Sequence, residues 1–293
     1  MNAYRHHFVP QGYLRGFATA DDTSNSFVWV YDKNPRRIPR KKSVRSIAWA
    51  PAYYAQEHPD GSIDLDTFEI KLAQTIDNEI PHLLRRIIPK VGQSVTMTSE
   101  DKETLAHFLG ISMTRVPSFR DGINAMYTQI AQIGLSHQMD NDPKLKNFAQ
   151  KYGLKAEAKP FVSLRPMVEI AQSIASAALA NNWQFYVSPP SVSLVTSDNP
   201  VLFSGGAAGL ALLGPAHPKA ELVMNLNKNL AIVCTPQRGY PDLQVFQLNP
   251  FGARKFNRGI VRAARQRVFA DHHSEALDFF VKKYVGQEQR VVI

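Results

Sequence analysis

The feature that most constrains the fold of this chain is a change in hydrophobic period near residue 182. Between residues 67 and 181 apolar side chains recur every three or four positions, which is the spacing of amphipathic helices. Between residues 183 and 236 the period falls to two, which is typical of consecutive strands. This order predicts an α+β fold in which a helical N-terminal and middle region packs on a mostly antiparallel sheet, formed largely by residues 183–236. We expect a single domain over residues 1–293, with a basic helix over residues 249–270.

Local signals divide the rest of the chain. An apolar stripe predicts a long helix over residues 66–90, and Pro81 should kink it because proline clashes with the preceding turn. Acidic residues that suit a helix N-terminus predict another helix over residues 99–115. Residues 140–160 are polar with weak periodicity and predict a mobile excursion, and residues 205–214 predict a flexible hairpin-like tip.

Charge and cysteine content limit the classes of partner and compartment. The chain carries 34 lysines and arginines against 25 aspartates and glutamates, a formal net charge of +9, and its pI is about 9.6. This excess favours nucleic acid or a phosphate-bearing ligand, although many basic proteins bind neither. The one cysteine, Cys234, lies in an apolar run and excludes an internal disulfide, which suits a reducing compartment. No secretory leader and no apolar run of about 18 residues is visible, so we expect a soluble cytoplasmic protein without a membrane partner.

Several well-defined catalytic patterns are missing from the sequence. It has no phosphate-binding loop ending in Gly-Lys, no dinucleotide fingerprint, no paired-histidine zinc helix, no C-x-x-C pair and no serine-hydrolase elbow. These absences exclude most nucleotide-binding enzymes, structural zinc sites and common serine hydrolases. Any site must therefore be built from less general motifs.

The first candidate motif is the segment from Arg5 to Ala18, where two adjacent histidines precede a short helix. Neutral imidazole can act as a general base or a metal ligand near pH 7, so His7 is a catalytic candidate. His6 and Arg15 are candidates for substrate binding on the same segment. The alternative is that both histidines are solvated or structural. Three apolar side chains on one face of the helix should dock this terminus against the core: Tyr13, Leu14 and Phe17.

The second candidate motif is the segment Thr196–Val201, in which Asp198 and Asn199 precede a proline at a strand end. One interpretation is an Asx turn with no role beyond structure. The other is catalytic: Asp198 orients His7 or binds a metal, and Asn199 donates to an oxyanion or a phosphate. On the catalytic interpretation we expect His7 and Asp198 to lie side by side in one site.

Further candidates are charged residues on the predicted helices. Glu69 lies beside an apolar stripe, where it is either solvated or, if buried near a basic group, an acid, a base or a metal ligand. Arg115 and Arg120 could clamp a phosphate, but the helix dipole alone also favours arginine at a helix end. Arg258 and Arg262 are candidates for substrate binding on the basic C-terminal helix.

An aromatic and β-branched stretch predicts a strand over residues 26–33, and a dense run of arginines and lysines follows it, between Arg36 and Arg45. Its interspersed prolines predict an exposed loop. The loop is either a solvated linker or a surface that contacts phosphates.

The order of these motifs resembles a known bacterial family. The stretch "HHFVPQGYLRGF" is similar to the H-x-V-P-x-x-Y-L-x-x-F signature of domain-of-unknown-function family 4238. The likeness continues in the family's order through "FEIKLAQTID", "TRVPSFR", "TSDNPV" and "FNRGIVRAARQRVFA". Asp77 stands where the family pattern has a glutamate. The resemblance implies one compact domain of a bacterial or phage-associated protein, and it implies no reaction.

Three functions remain open on these residues. The first is an enzyme acting on phosphodiester or nucleotide substrates, such as a nuclease-like hydrolase of microbial conflict, with a divalent metal as an optional cofactor. The second is a non-catalytic module that binds nucleic acid or protein. The third is a small-molecule hydrolase or transferase. Convergence of His7, Glu69, Arg115 and Asp198 in one concave pocket favours the first.

Overall fold

The computed structural model describes residues 4–19, 26–204, 214–215, 217, 219–236 and 239–287, and within them the chain has an α+β fold. The predicted tip over residues 205–214 lies almost wholly outside these ranges. The described helices, numbered α1 to α9 in chain order, are Gln11–Leu14, Thr67–Leu72, Ile80–Arg86, Ser99–Thr114, Pro117–Asn141, Pro143–Tyr152, Leu164–Ala180, Pro250–Ala263 and Glu275–Lys282. The described strands, numbered β1 to β13, are Arg5–His7, Phe27–Asp32, Arg40–Ser43, Trp49–Pro51, Gln56–Glu57, Ile63–Asp64, Asn182–Val187, Thr196–Ser197, Val201–Ser204, Glu221–Asn227, Leu230–Thr235, Gln244–Gln247 and Arg267–Ala270.

Two larger sheets organise these strands. The first has the order β12-β7-β11-β10-β9, and its neighbouring strands are antiparallel except β12 and β7, which are parallel. The second has the order β3-β2-β13-β8 and draws on both ends of the chain. The mostly antiparallel sheet predicted over residues 183–236 is therefore confirmed, with two differences. Strand β8 joins the second sheet, and β12 adds a parallel edge strand from beyond residue 236.

The helices pack on the first sheet through a shared hydrophobic core. Trp183 and Phe185 of β7 are fully buried in the same cluster as Phe108 of α4. Helices α4 and α7 lie very close together at Gly110. A Cβ added to Gly110 would overlap the carbonyl oxygen of Ala171. Only glycine admits this approach of one backbone to another. No helix in the described ranges is both long enough and apolar enough to cross a membrane.

The N-terminal helix α1 docks as the sequence predicts. Tyr13, Leu14 and Phe17 are fully buried in the main core, and such burial stabilises by about 1.5–3 kcal/mol per side chain. The hydroxyl of Tyr13 donates to the carbonyl of Asn225 at 2.6 Å and lies 2.8 Å from Oγ1 of Thr196. Because a buried hydroxyl without partners is costly, these two contacts fix how α1 lies on β10 and β8.

The long helix predicted over residues 66–90 is broken in the structure. Helix α2 passes into one turn of π-helix at Ala73–Asp77, and α3 begins afterwards with Pro81 in its first turn. Proline is well tolerated there because its missing N–H has no partner in the first turn of any helix. The predicted kink at Pro81 is therefore a new helix start.

Three other helix predictions have different outcomes. The helix over residues 99–115 is confirmed as α4, with Thr98 and Asp101 forming a reciprocal capping box at its start. The helix over residues 249–270 is correct only as far as Ala263, since the remainder forms a turn and strand β13. The mobile excursion over residues 140–160 contains helix α6.

Candidate functional site

Strand β1 carries both histidines and pairs antiparallel with β4, with His7 opposite Trp49. His6 and His7 therefore lie in extended backbone. Ala48 and Ala52 flank β4 with φ values of 53° and 47°. Because non-glycine residues rarely adopt this left-handed conformation, the turns at both ends of β4 are held by the structure around them.

Arg115, just after α4, is fully buried and joins three parts of the chain. Its guanidinium makes hydrogen bonds of 2.7 and 3.1 Å to Asp77 and one of 2.6 Å to the carbonyl of His7. Its Nε donates to the hydroxyl of Tyr54 at 3.1 Å. Burial is the largest single influence and lowers the pKa of Arg115, but Asp77, Tyr54 and Glu69 together outweigh it, so the pKa is raised. The charged guanidinium therefore links these three parts of the chain, and its N–H groups form hydrogen bonds within the protein.

Glu69 and His7 meet in the same cluster. Oε1 of Glu69 accepts the backbone N–H of His7 at 3.3 Å. Oε2 of Glu69 and Nε2 of His7 are buried and have no hydrogen-bond partner in the described part of the chain. Burial raises the pKa of Glu69. Burial also lowers the pKa of His7 to about 4, although the nearby backbone of Arg45 opposes this shift. The carboxyl is shifted toward its protonated form, and the imidazole is held neutral.

The π-turn at Ala73–Asp77 explains how two acids of one segment reach this cluster. Asp77 follows Glu69 by eight positions. In a regular α-helix that spacing places the two side chains about 80° apart around the helix axis. The wider π-turn takes up an extra residue and reduces this offset, as π-bulges at functional sites often do. Sequence reasoning did not select Asp77 as a site residue, because it stands where the family pattern has a glutamate.

Arg120 and His6 lie behind this cluster, and each is only 3% exposed. Arg120 donates to Oγ of Ser163 at 2.9 Å and to two backbone carbonyls, and its guanidinium lies 4.2 Å from the ring centroid of Tyr53. Nδ1 of His6 accepts the N–H of Tyr54 at 3.0 Å, and burial lowers the pKa of His6. A ligand would have to displace these contacts to bind either side chain, so their substrate-binding roles stay predictions.

Asp198 and Asn199 have contacts that are structural in character. The Asp198 carboxylate accepts three backbone N–H groups from the turn Arg265–Arg267, at 2.8, 2.8 and 2.9 Å. Burial raises the pKa of Asp198, although the three N–H groups oppose that shift. The side-chain amide of Asn199 donates to the carbonyl of Ala263 at 3.1 Å. The motif therefore fixes the turn between α8 and β13.

The segment from Arg5 to Ala18 and the segment Thr196–Val201 do approach each other, but not through a contact between His7 and Asp198. The contact between Tyr13 and Thr196 joins them, and Phe8 and Asp198 line the same cavity of about 270 Å³. Within the described ranges no hydrogen bond links His7 to Asp198. The expectation that Asp198 orients His7 is corrected on this point, because the carboxylate oxygens already accept backbone N–H groups.

A second cavity, of about 280 Å³, adjoins the first. The two share Arg267, and residues 46–49 pass from one to the other; we call the pair the basic groove. Five cationic side chains line it: Arg37, Arg40, Lys42, Arg265 and Arg267. The basic segment between Arg36 and Arg45 is the sequence signal for most of this set. The prediction of a loop is wrong for part of it, because Arg40–Ser43 form strand β3 and pair with β2.

The cations of the basic groove differ in how far they are neutralised. Asp32 lies 3.7 Å from Arg37 and 3.9 Å from Arg267. Arg265 pairs with Asp121 at 2.6 Å. Arg40 and Lys42 make no ion pair among the residues that the structure describes, and both are exposed or nearly so. These two charges are available to an incoming anion.

Helix α8 carries a second group of cations. Arg254, Arg258 and Arg262 are exposed at four-residue spacing, which places them along one face of the helix. The helix contains no acidic residue, and its C-terminal end leads through Ala264 to Arg265 in the basic groove. Arg15 is exposed beyond α1 and lies in neither cavity of the groove.

A further cavity, of about 330 Å³, lies between α2, α4 and α7 and is mostly apolar. Leu72, Ile76 and Ile111 line it, with His107 at its side. None of the residues predicted from the sequence to form a site lies in this cavity.

Among the described residues no three His, Cys, Asp or Glu side chains are arranged to hold a metal ion.

Comparison with known proteins identifies the family of the chain. No curated protein and no solved structure matches the chain. The model of a family described as a protein of unknown function (DUF4238) matches residues 5–274, which include both motifs discussed above. The chain therefore belongs to the DUF4238 family.

Proposed function

We propose that this protein binds nucleic acid in the basic groove. The observation that carries the proposal is the line of five cations around two adjoining cavities, of which Arg40 and Lys42 have no ion-pair partner in the described part of the chain. Cations that neutralise phosphates release condensed counterions, which drives the binding of polyanions. The net charge of +9 adds long-range attraction for the same class of ligand.

Aromatic side chains in the basic groove favour a single strand as the ligand. Phe8 and Trp49 line the cavity that contains Arg265, and the guanidinium of Arg5 lies 4.7 Å from the ring centroid of Trp49. Unpaired bases stack on aromatic rings and arginine planes of this kind. The cationic face of α8 extends the surface, since Arg254 and Arg262 are about 12 Å apart along the helix, a separation that lets them contact neighbouring phosphates of an extended strand.

The test is fluorescence anisotropy with labelled single-stranded and double-stranded oligonucleotides over a series of salt concentrations. We expect tighter binding of the single strand and a steep loss of affinity with salt. The double variant Arg40→Ala/Lys42→Ala should lower the slope of log K against log salt by about 1–2. The matched control, Lys144→Ala/Lys146→Ala on α6, removes the same charge from an exposed site and should bind as the wild type does. Equal weakening by both variants would remove the basic groove from the proposal.

A second candidate function, hydrolysis of the bound phosphodiester, is favoured by Glu69 and His7. A neutral imidazole and a carboxyl shifted toward protonation are suited to act as base and acid. His7 directly precedes Phe8, which lines the basic groove, but the His7 and Glu69 side chains do not line its cavities, so the reaction requires the groove to open toward them. In this reaction His7 would accept the proton of the attacking water, and Glu69 would donate a proton to the leaving oxygen.

The same oligonucleotides test this candidate when the products are separated on a denaturing gel, with and without Mg²⁺ or Mn²⁺. We expect Glu69→Gln to lose cleavage and to keep the wild-type salt slope of binding. Intact oligonucleotide under every condition would leave binding as the function of the groove.

A further inference from the structure

Helix α5 carries an apolar stripe that continues beyond the body of the protein. Phe119 and Ile123 lie on this stripe and are buried at 1% and 2% exposure in the cluster with α4 and α7. Farther along the same face, Ile130 and Ile133 are 57% and 69% exposed. The spacing from Ile123 to Ile130 is seven residues, or about two helical turns, so the exposed pair continues the buried one.

The opposite face of α5 is already covered by its own chain. Oγ1 of Thr128 accepts the N–H of Ala158, and Oε1 of Gln132 accepts the N–H of Ala156, both at 3.0 Å. At about 100° per residue, Ile130 points away from the midpoint between Thr128 and Gln132. The segment that returns after α6 therefore packs on the far side of the helix from the stripe.

Most of α5, including the part that carries Ile130 and Ile133, has no charged residue. From residue 122 to residue 139 the sequence holds no Asp, Glu, Lys or Arg. A helix that stays in water normally carries charges on its exposed face. Gly134 lies beside Ile133, and a Cβ added to it would meet nothing within 4 Å. The glycine costs the helix about 1 kcal/mol relative to alanine, and no contact described within the chain requires it.

We propose that this face of α5, comprising Ile130, Ile133 and Gly134, is the contact surface between two copies of the chain. A twofold axis places a surface against itself, so the surface must be self-complementary. A face without charges meets no like-charge repulsion in that arrangement, whereas it offers no counter-charge to a charged partner. Gly134 lets the two helix backbones cross closely between the isoleucines of each copy.

The size of the surface sets the expected strength of the dimer. The eighteen uncharged residues extend for about 27 Å along the helix, but the stripe is buried within the protein as far as Ile123, so only the part beyond it can form the contact. One helix face of that length is smaller than a standard interface of about 800 Å² per partner, so we expect weak, concentration-dependent association. Of the residues that line the basic groove only Pro117 belongs to α5, and it lies at the other end of the helix from Ile130 and Ile133, so this inference does not depend on the proposed function.

Sedimentation velocity over a series of protein concentrations tests the surface. The wild type should move from monomer to dimer as its concentration rises. Ile133→Glu should stay monomeric, while Ile88→Glu, at a position that is also 69% exposed but lies after α3, should dimerise as the wild type does. A wild type that remains monomeric over the whole series, or an Ile133→Glu variant that dimerises normally, would overturn the proposal.

Gly134→Ala gives a test that does not depend on adding a charge. Alanine favours the helix, so the melting temperature of the dilute monomer should rise. The new methyl group should at the same time weaken the dimer, because it lies at the crossing point of the two helices. Dimerisation as strong as in the wild type would contradict the close crossing.

Discussion

The low pKa of His7 predicts how the stability of the protein depends on pH. Its pKa is lowered by burial from 6.5 in the free side chain to about 4 in the folded protein. Above pH 6.5 both the folded and the unfolded chain hold His7 neutral, and the group has no effect. As the pH falls below 6.5 the unfolded chain binds a proton that the folded chain refuses until about pH 4, so stability is lost through this window. At roughly 1.4 kcal/mol per pKa unit, the full loss is about 3 kcal/mol.

Replacing His7 by phenylalanine removes the titration and keeps a buried ring. We expect urea unfolding at a series of pH values to show a flatter stability curve for His7→Phe than for the wild type between pH 6.5 and 4. The pKa of Glu69 is raised in the folded protein, so the stability that Glu69 contributes is lost as the pH rises, which is opposite to the effect of His7. The difference between variant and wild type is therefore the quantity to measure. The exposed substitution His58→Phe is the control. Parallel curves for His7→Phe and the wild type would show that the imidazole is solvated in the folded state.

Two carboxylates yield further predictions. Asp77→Asn should cost about 3–5 kcal/mol, because it leaves the charge of Arg115 buried without its partner, and should lower the melting temperature by roughly 6–10 °C. Glu57→Gln, which breaks an exposed pair with Lys159 at 2.6 Å, should cost at most about 1 kcal/mol; a similar shift for both variants would contradict the buried pair. Asp198→Asn places an amide N–H₂ against backbone N–H donors and should cost about 1.5–3 kcal/mol in urea unfolding. Unchanged stability would mean that the carboxylate does not hold the α8–β13 turn.

Elements with a strong period and local caps were predictable from the sequence, and elements that depend on distant partners were not. Helix α4 has both an apolar pattern and a capping box, so its bounds were predicted closely. Strand β13 was predicted as helix because its apolar residues follow a basic helix directly. Val268, Phe269 and Ala270 are all buried between β2 and β8, and a strand buried on both faces does not alternate.

The members of the site were easier to predict than their pairing. His7 and Asp198 are predicted from the chemistry of their side chains beside a docked helix and at a strand end, Glu69 from its place beside an apolar stripe, and Arg115 as a cation at a helix end. The partners of Asp198 are backbone N–H groups, which every residue except proline carries, so no sequence pattern marks them. Asp77 required the π-turn, which no periodicity in the sequence indicates.

The contacts of Tyr13 also bear on the order in which the chain can fold. Its hydroxyl bonds to residues 183 and 212 positions later in the sequence. At a synthesis rate of about 5–20 residues per second, roughly 10–40 s pass between the appearance of Tyr13 and that of Asn225. During that interval α1 can pack only on helices that have already been made, such as α4, whose Phe108 contacts Tyr13, while strand β10 is still missing. Helix α1 therefore completes its native contacts only after β10 has been synthesised, and until then its apolar face is a segment that chaperones can bind.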